Sequence, residues 1–404
     1  MVRLLACCLL GIFAASGKDT WSLVESASIR VISDDSPGVA TQVLDDLAVT
    51  QSLLRQITAA DPALPLRVFA LKDQSSLRAF APDRLKRGDI HTFGFSHTGP
   101  HAAFIALRTD RPASMTAETL RHEYAHVVTA ALSPEAPAWL DEGLSEFWGA
   151  LVVEGDHIVV GRPIARHLEV LRKRKWLPMS AMLQQRRGVL PSNADRVEMF
   201  YAQAWAMVHY LLLGQDTNAL ANYMPSTSTL PANFEAVVRQ YVDNGRFRET
   251  AMAWQPQAQS PGRASTISEA RALAERAHLL VFGEQPRSAL APAQQALALN
   301  PTEPLALEVI GTYHFLNNQP ALAREWLTRA LAAGPPSYGA AIYMSLLSST
   351  SVDRERYLRA AIQARPDSDV AWRRLCEIFK ADGRLGTAGL PLAETVRCRT
   401  PEHR

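Results

Sequence analysis

The C-terminal third of the chain repeats itself at a fixed interval. Asn300-Pro301 and Gly334-Pro335 each close an alanine-rich stretch of helical periodicity, and the two prolines lie 34 residues apart. In that phase Gly311, Ala323, Ala330 and Pro335 take the positions that Ala277, Ala289, Ala296 and Pro301 hold one period earlier. Proline cannot continue a helix, and small residues at matched places let two helices approach closely. A period of this length restricts residues 267–400 to helix pairs stacked side by side, each burying the face of the next. A third, shortened unit ends at Arg365-Pro366, followed by a helix around Trp372 and Phe379. Such an array is expected to offer a concave groove to a peptide or partner chain.

The 404 residues exceed one ordinary core, so further domains precede the repeats. Apolar residues make up 47%, which excludes wholesale disorder. Forty-two Lys and Arg against 40 Asp and Glu leave a net charge of +2, which gives no reason to expect a nucleic-acid or membrane-surface binder. The longest apolar run, residues 4–15, is too short for a bilayer span of about 20 residues. With Arg3 before it and small residues at 14–17 after it, the run reads as a signal peptide over residues 1–17, and the mature chain is exported, periplasmic or secreted. Cleavage removes Cys7 and Cys8 and leaves Cys376 and Cys398, either as a disulfide or as two buried thiols.

Residues 18–116 alternate β-branched runs at 29–32, 66–71 and 102–107 with a helical stretch carrying Val43, Leu44, Leu47, Leu53, Leu54 and Ile57, which is a small α/β unit. Residues 117–255 are mainly helical, broken at Ser133-Pro134, Pro137, Pro163, Pro178 and Pro191, with one short strand at 158–160. A polar, helix-breaking linker is expected over 256–266. The fold class is therefore α+β: an α/β subdomain, a mainly helical subdomain and all-α repeats whose 34-residue period resembles that of tetratricopeptide repeats.

Residues 122–126 read His-Glu-Tyr-Ala-His. On a helix, His122 and His126 share one face and can present two imidazoles to one zinc ion, with Glu123 beside them as a base for a metal-held water. A second helix after Pro137 begins Trp139-Leu140-Asp141-Glu142-Gly143-Leu144-Ser145-Glu146. A third stretch starts at Phe200-Tyr201 and continues small and apolar through His209.

Together, H-E-x-x-H and W-L-x-E-G-x-x-E resemble the gluzincin metallopeptidases, which include thermolysin, the aminopeptidase N group and bacterial peptidase-MA-like domains. The resemblance implies a zincin catalytic subdomain holding one zinc per chain through His122, His126 and Glu142. It implies that Glu123 is the catalytic base, that Glu146 supports the first histidine from behind, and that Tyr201 stabilises the oxyanion, with His209 as an alternative. Substrate, a peptide or protein, is expected to add as a strand beside the run near Phe104. Two departures stand out. Fifteen residues separate His126 from Glu142, fewer than in thermolysin, and the G-x-M-E-N motif of aminopeptidases is absent. The competing reading is a catalytically silent, zinc-holding scaffold that recruits partners through its repeats. His91, His97 and His101 read as a surface or cleft-rim cluster, and Arg172-Lys173-Arg174-Lys175 as a solvated helix face.

Overall fold

The computed structural model describes residues 20–26, 29–58, 64–81, 93–189, 193–214, 230–254, 264–283, 286–385 and 391–399. The expected signal segment, most of the expected linker, His91 and Pro191 lie outside these residues.

The first unit is a mixed sheet. Strands β1 (Trp21–Glu25), β2 (Ile29–Ser33), β3 (Leu66–Leu71), β4 (Gly94–Thr98) and β5 (Ala103–Arg108) come from the N-terminal region, with helices α1 (Pro37–Thr58) and α2 (Gln74–Phe80) between them. The order is β4-β5-β3-β2-β1-β9, where β9 is Ser265–Ile267. Pairs β2–β3 and β3–β5 are parallel, and the outer pairs are antiparallel. The registers Val31↔Val68 and Val68↔Ile105 align one row of apolar residues, while Ile32↔Phe69 and Phe69↔Ala106 align a row on the opposite face. Both rows are fully buried. The unbroken apolar run at 102–107 reflects this: a strand covered on both faces needs no polar alternation.

Helices α3 (Ala113–Leu132), α4 (Ala138–Gly149), α5 (Ala165–Lys173), α6 (Met179–Gln184), α7 (Ala194–His209) and α8 (Phe234–Asn244) form the second unit. Four of the expected breaks hold: α3 stops before Ser133-Pro134, and α4, α5 and α6 each begin just after a proline. A hairpin of β6 (Val152–Glu154) and β7 (His157–Val160) is extended by β8 (Thr250–Ala253), so the expected short strand belongs to a three-stranded sheet. The α1, α3, α4 and α7 side chains share one core with Val31, Val68 and Ile105. The basic run at 172–175 is exposed.

The third unit is a series of helix pairs: α9 (Glu269–Val281) with α10 (Leu290–Leu299), α11 (Pro304–Leu316) with α12 (Pro320–Ala333), α13 (Tyr338–Leu347) with α14 (Ser351–Ala364), and α15 (Asp369–Ala381) with α16 (Leu392–Arg399). The matched small residues sit where helices meet. Ala277, Ala289, Ala296, Ala323 and Ala330 are fully buried, and a Cβ on Gly311 would lie 2.7 Å from Leu327 Cγ. A disulfide joins Cys376 on α15 to Cys398 on α16, which resolves the two alternatives for these cysteines.

The expected linker boundary does not hold. Its end forms β9, which pairs with β1, and α9 and α11 share a core with Ile32, Phe69, Leu71, Phe104 and Ala106. The physical reason lies in the sheet: α1 and α3 cover one face, and on the other the first helix pairs complete the cover that the short α2 only begins. No helix among the described residues is long and apolar enough to cross a membrane.

Candidate metal centre

Helix α3 carries the motif on an alanine-rich stretch whose apolar side, with Leu120, Tyr124, Val127 and Val128, is buried. Helix α4 packs against it and is buried almost throughout, through Trp139, Leu140, Leu144, Phe147 and Trp148. The short turn at 133–137 brings α4 back alongside α3, so residues 141, 142 and 146 face the two imidazoles.

His122 Nε2 and His126 Nε2 lie 3.2 Å apart. Glu142 Oε2 is 3.6 Å from the first and 3.4 Å from the second. Four ligands at about 2.0–2.1 Å around a tetrahedral zinc define edges of about 3.4 Å. The three atoms thus already form one face of such a tetrahedron. Glu142 Oε2 is buried and lies beyond good hydrogen-bond distance of any partner. No other group of His, Cys, Asp and Glu among the described residues converges in this way.

The outer nitrogens have carboxylates of their own. His126 Nδ1 is 3.0 Å from Asp141 Oδ1, and His122 Nδ1 is 3.6 Å from Glu146 Oε1. A proton on each Nδ1 faces a carboxylate and leaves both Nε2 lone pairs pointing inward. Asp141 is held in turn by Arg187, with Nε at 2.7 Å and a second guanidinium nitrogen at 3.1 Å, and Arg187 also reaches the Pro134 carbonyl. Glu146 accepts from Arg166 at 2.9 Å and pairs with His167 at 2.8 Å.

Charge is concentrated here. Burial alone would raise the Glu142 carboxyl, but His126 and His122 outweigh it and hold it down to about 2. Burial likewise opposes charge on His126, yet Glu142 and Asp141 raise it well above the ordinary imidazole value. Glu146 is held below the usual carboxylate range against its burial, chiefly by His167. A site with this many buried carboxylates around two imidazoles favours a cation.

Glu123 is buried on α3 beside the two histidines. Tyr201, on the first half of α7, places its ring 6.4 Å from that of His122. The two helices meet tightly: a Cβ on Gly143 of α4 would lie 2.4 Å from the Ala204 carbonyl oxygen of α7. All six expected site residues, His122, Glu123, His126, Glu142, Glu146 and Tyr201, are therefore gathered at the α3, α4 and α7 junction. His209 is not part of it. Its Nε2 bonds the Gly161 carbonyl at 2.8 Å and its Nδ1 the Tyr241 hydroxyl at 2.9 Å, inside the core. His101 is buried against the repeats and so lies on neither a surface nor a cleft rim.

Four contributing residues escaped the sequence reading: Asp141, Arg187, Arg166 and His167. Asp141 adjoins Glu142, which is the one local signal; the others lie far along the chain. No protein-family model matches the chain, and none of the curated proteins matches it in sequence.

Proposed function

We propose that the protein is an exported, zinc-dependent peptidase of the gluzincin type with tetratricopeptide-like repeats. The observation that carries the reading is the converging triad of His122 Nε2, His126 Nε2 and Glu142 Oε2, spaced as the face of a zinc tetrahedron. The disulfide between Cys376 and Cys398 supports an oxidising compartment, where such bonds persist.

In this reading His122, His126 and Glu142 would hold the zinc. When bound, it would supply the Lewis acidity that acidifies the attacking water and polarises the scissile carbonyl. Glu123 accepts the water's proton and hands it to the leaving amine. Tyr201 donates a hydrogen bond to the carbonyl oxygen as negative charge develops there. Asp141 and Glu146 keep the imidazoles in the required tautomer. The strand-addition role passes from the run near Phe104 to β4. Strand β5 is paired on both sides, whereas among the described residues β4 is an outer strand. It also packs beside α3: a Cβ on Gly94 would lie 2.9 Å from Thr119 Cγ2.

Metal analysis with a peptide-library digest tests the reading. Wild type is expected to hold one zinc and cleave peptides. Glu123→Gln should keep the metal and lose turnover, and Tyr201→Phe should lose about 10²-fold in kcat with zinc retained. Protein that stays metal-free after zinc incubation sinks the site. Protein that holds zinc but cleaves no peptide is the scaffold.

A further inference from the structure

The face that a helical-repeat array would offer to a partner is already occupied, by the turn between β4 and β5. Gly99 closes that turn, its N–H bonding the Ala102 carbonyl at 2.9 Å, and a Cβ on Gly99 would lie 3.2 Å from the Phe282 ring. His101, 9% exposed, inserts its ring among aromatic side chains of the helix pairs. Its ring lies edge-on to Tyr343 at 5.1 Å and Tyr338 at 5.3 Å, with Phe282 at 6.2 Å. The His101 carbonyl accepts a 2.6 Å hydrogen bond from Arg365, whose guanidinium stacks 3.9 Å over Tyr338. The turn is thus gripped by the end of α9, by α13 and by the end of α14, elements of the first and third helix pairs.

Neither His101 ring nitrogen hydrogen-bonds to the helix pairs, although both are buried. The side chain therefore works here as an aromatic wedge, and its polar atoms contribute nothing to the grip. The turn continues directly into β4, the outer strand that packs beside α3.

We propose that the helix pairs are the seat of strand β4, with His101 as the positioning residue, so that the repeat face serves the chain's own cleft. The substrate-related part rests on the peptidase reading above; the seating itself does not. A strand fixed at its far end presents a pre-ordered edge to an extended peptide, so less order is lost on binding.

The test uses zinc-loaded, full-length protein with His101→Ala and His101→Phe. Phenylalanine retains the ring and drops the nitrogens, so it should behave as wild type. His101→Ala is expected to speed amide exchange within residues 94–103 by about tenfold or more, with exchange in α3 and zinc content unchanged. The same variant should raise KM for an extended peptide by about tenfold with kcat within about twofold, and His101→Phe should restore it. Unchanged exchange in His101→Ala overturns the seating. Faster exchange with unchanged KM overturns the link to substrate. If wild type cleaves nothing, the peptidase reading fails, and exchange alone upholds or overturns the seating. Should His101→Ala not fold, Tyr338→Ala removes one wall of the seat from the repeat side and is read the same way.

Discussion

Three carboxylates on one short helix set what the two imidazoles can do. Glu142 faces the inner nitrogens, and Asp141 and Glu146 face the outer ones. A doubly charged metal gains more from Asp141 than a single proton does, so the carboxylate favours metal even while it raises the histidine's proton affinity. Asp141→Asn should therefore weaken zinc binding by about 10–100-fold, read by competition with a chelator. Equal affinity in variant and wild type would show that Asp141 serves only Arg187. At this scale the sequence was legible where spacing alone decides. His122 and His126 share a helix face by their separation of four, and Glu142 and Glu146 repeat the same separation on the partner helix. Asp141 was hidden because its aim depends on how α4 crosses α3. Arg187 was hidden because only the folded chain brings it to Asp141.

Most helices were readable from prolines and apolar spacing; the short outer strands were not. Strand β4 is Gly-Phe-Ser-His-Thr and β9 is Ser-Thr-Ile, and both owe their conformation to a neighbour's free edge more than to local preference. Gly143 shows the converse, a residue whose identity looks incidental until α7 is seen against it. The contact between sheet and helix pairs carries the pH dependence expected of this fold. Glu275 on α9 is fully buried between Arg67 of β3 and Arg271, the latter at 2.8 Å; against its burial these cations hold it down to about 2 from an ordinary 4.5. This stabilisation is complete above pH 4.5 and is lost as pH falls through about 2. His101 is lowered from 6.5 to about 4, first by burial and then by Arg365 and Arg374. Its docked, neutral form is favoured fully above pH 6.5, and the advantage shrinks as pH falls through about 4. Thermal unfolding should therefore show Tm falling in two stages on acidification, and His101→Phe should make the first stage shallower without abolishing it, because burial also lowers His209 and His278. Parallel curves for variant and wild type between pH 6.5 and 4 would count against the His101 assignment.

For the whole molecule, the division into independent units is where the sequence misled. The linker composition is real, but the apolar residues on the second face of the sheet already called for a cover that, before residue 255, only the short helix α2 provides, through Leu77 and Phe80. Burying Ile32, Phe69, Leu71 and Phe104 contributes roughly 1.5–3 kcal/mol each, together about 6–12 kcal/mol, which is comparable to the entire stability of an ordinary domain at about 5–15 kcal/mol. A chain ending at residue 254 should accordingly be unfolded or aggregated and hold no zinc, as circular dichroism and metal content would report. A folded, zinc-holding fragment would restore the two-domain view. The pairing of Trp21 with Ile267 also bears on how the molecule is made. During synthesis β1 emerges well before its outer neighbour β9, which follows only after the whole helical unit and the β6-β7-β8 sheet have left the ribosome. Loop closure of that length is slow relative to local helix formation. The nascent chain must wait with an open edge and a bare apolar face, and that interval is when a holding chaperone would engage it.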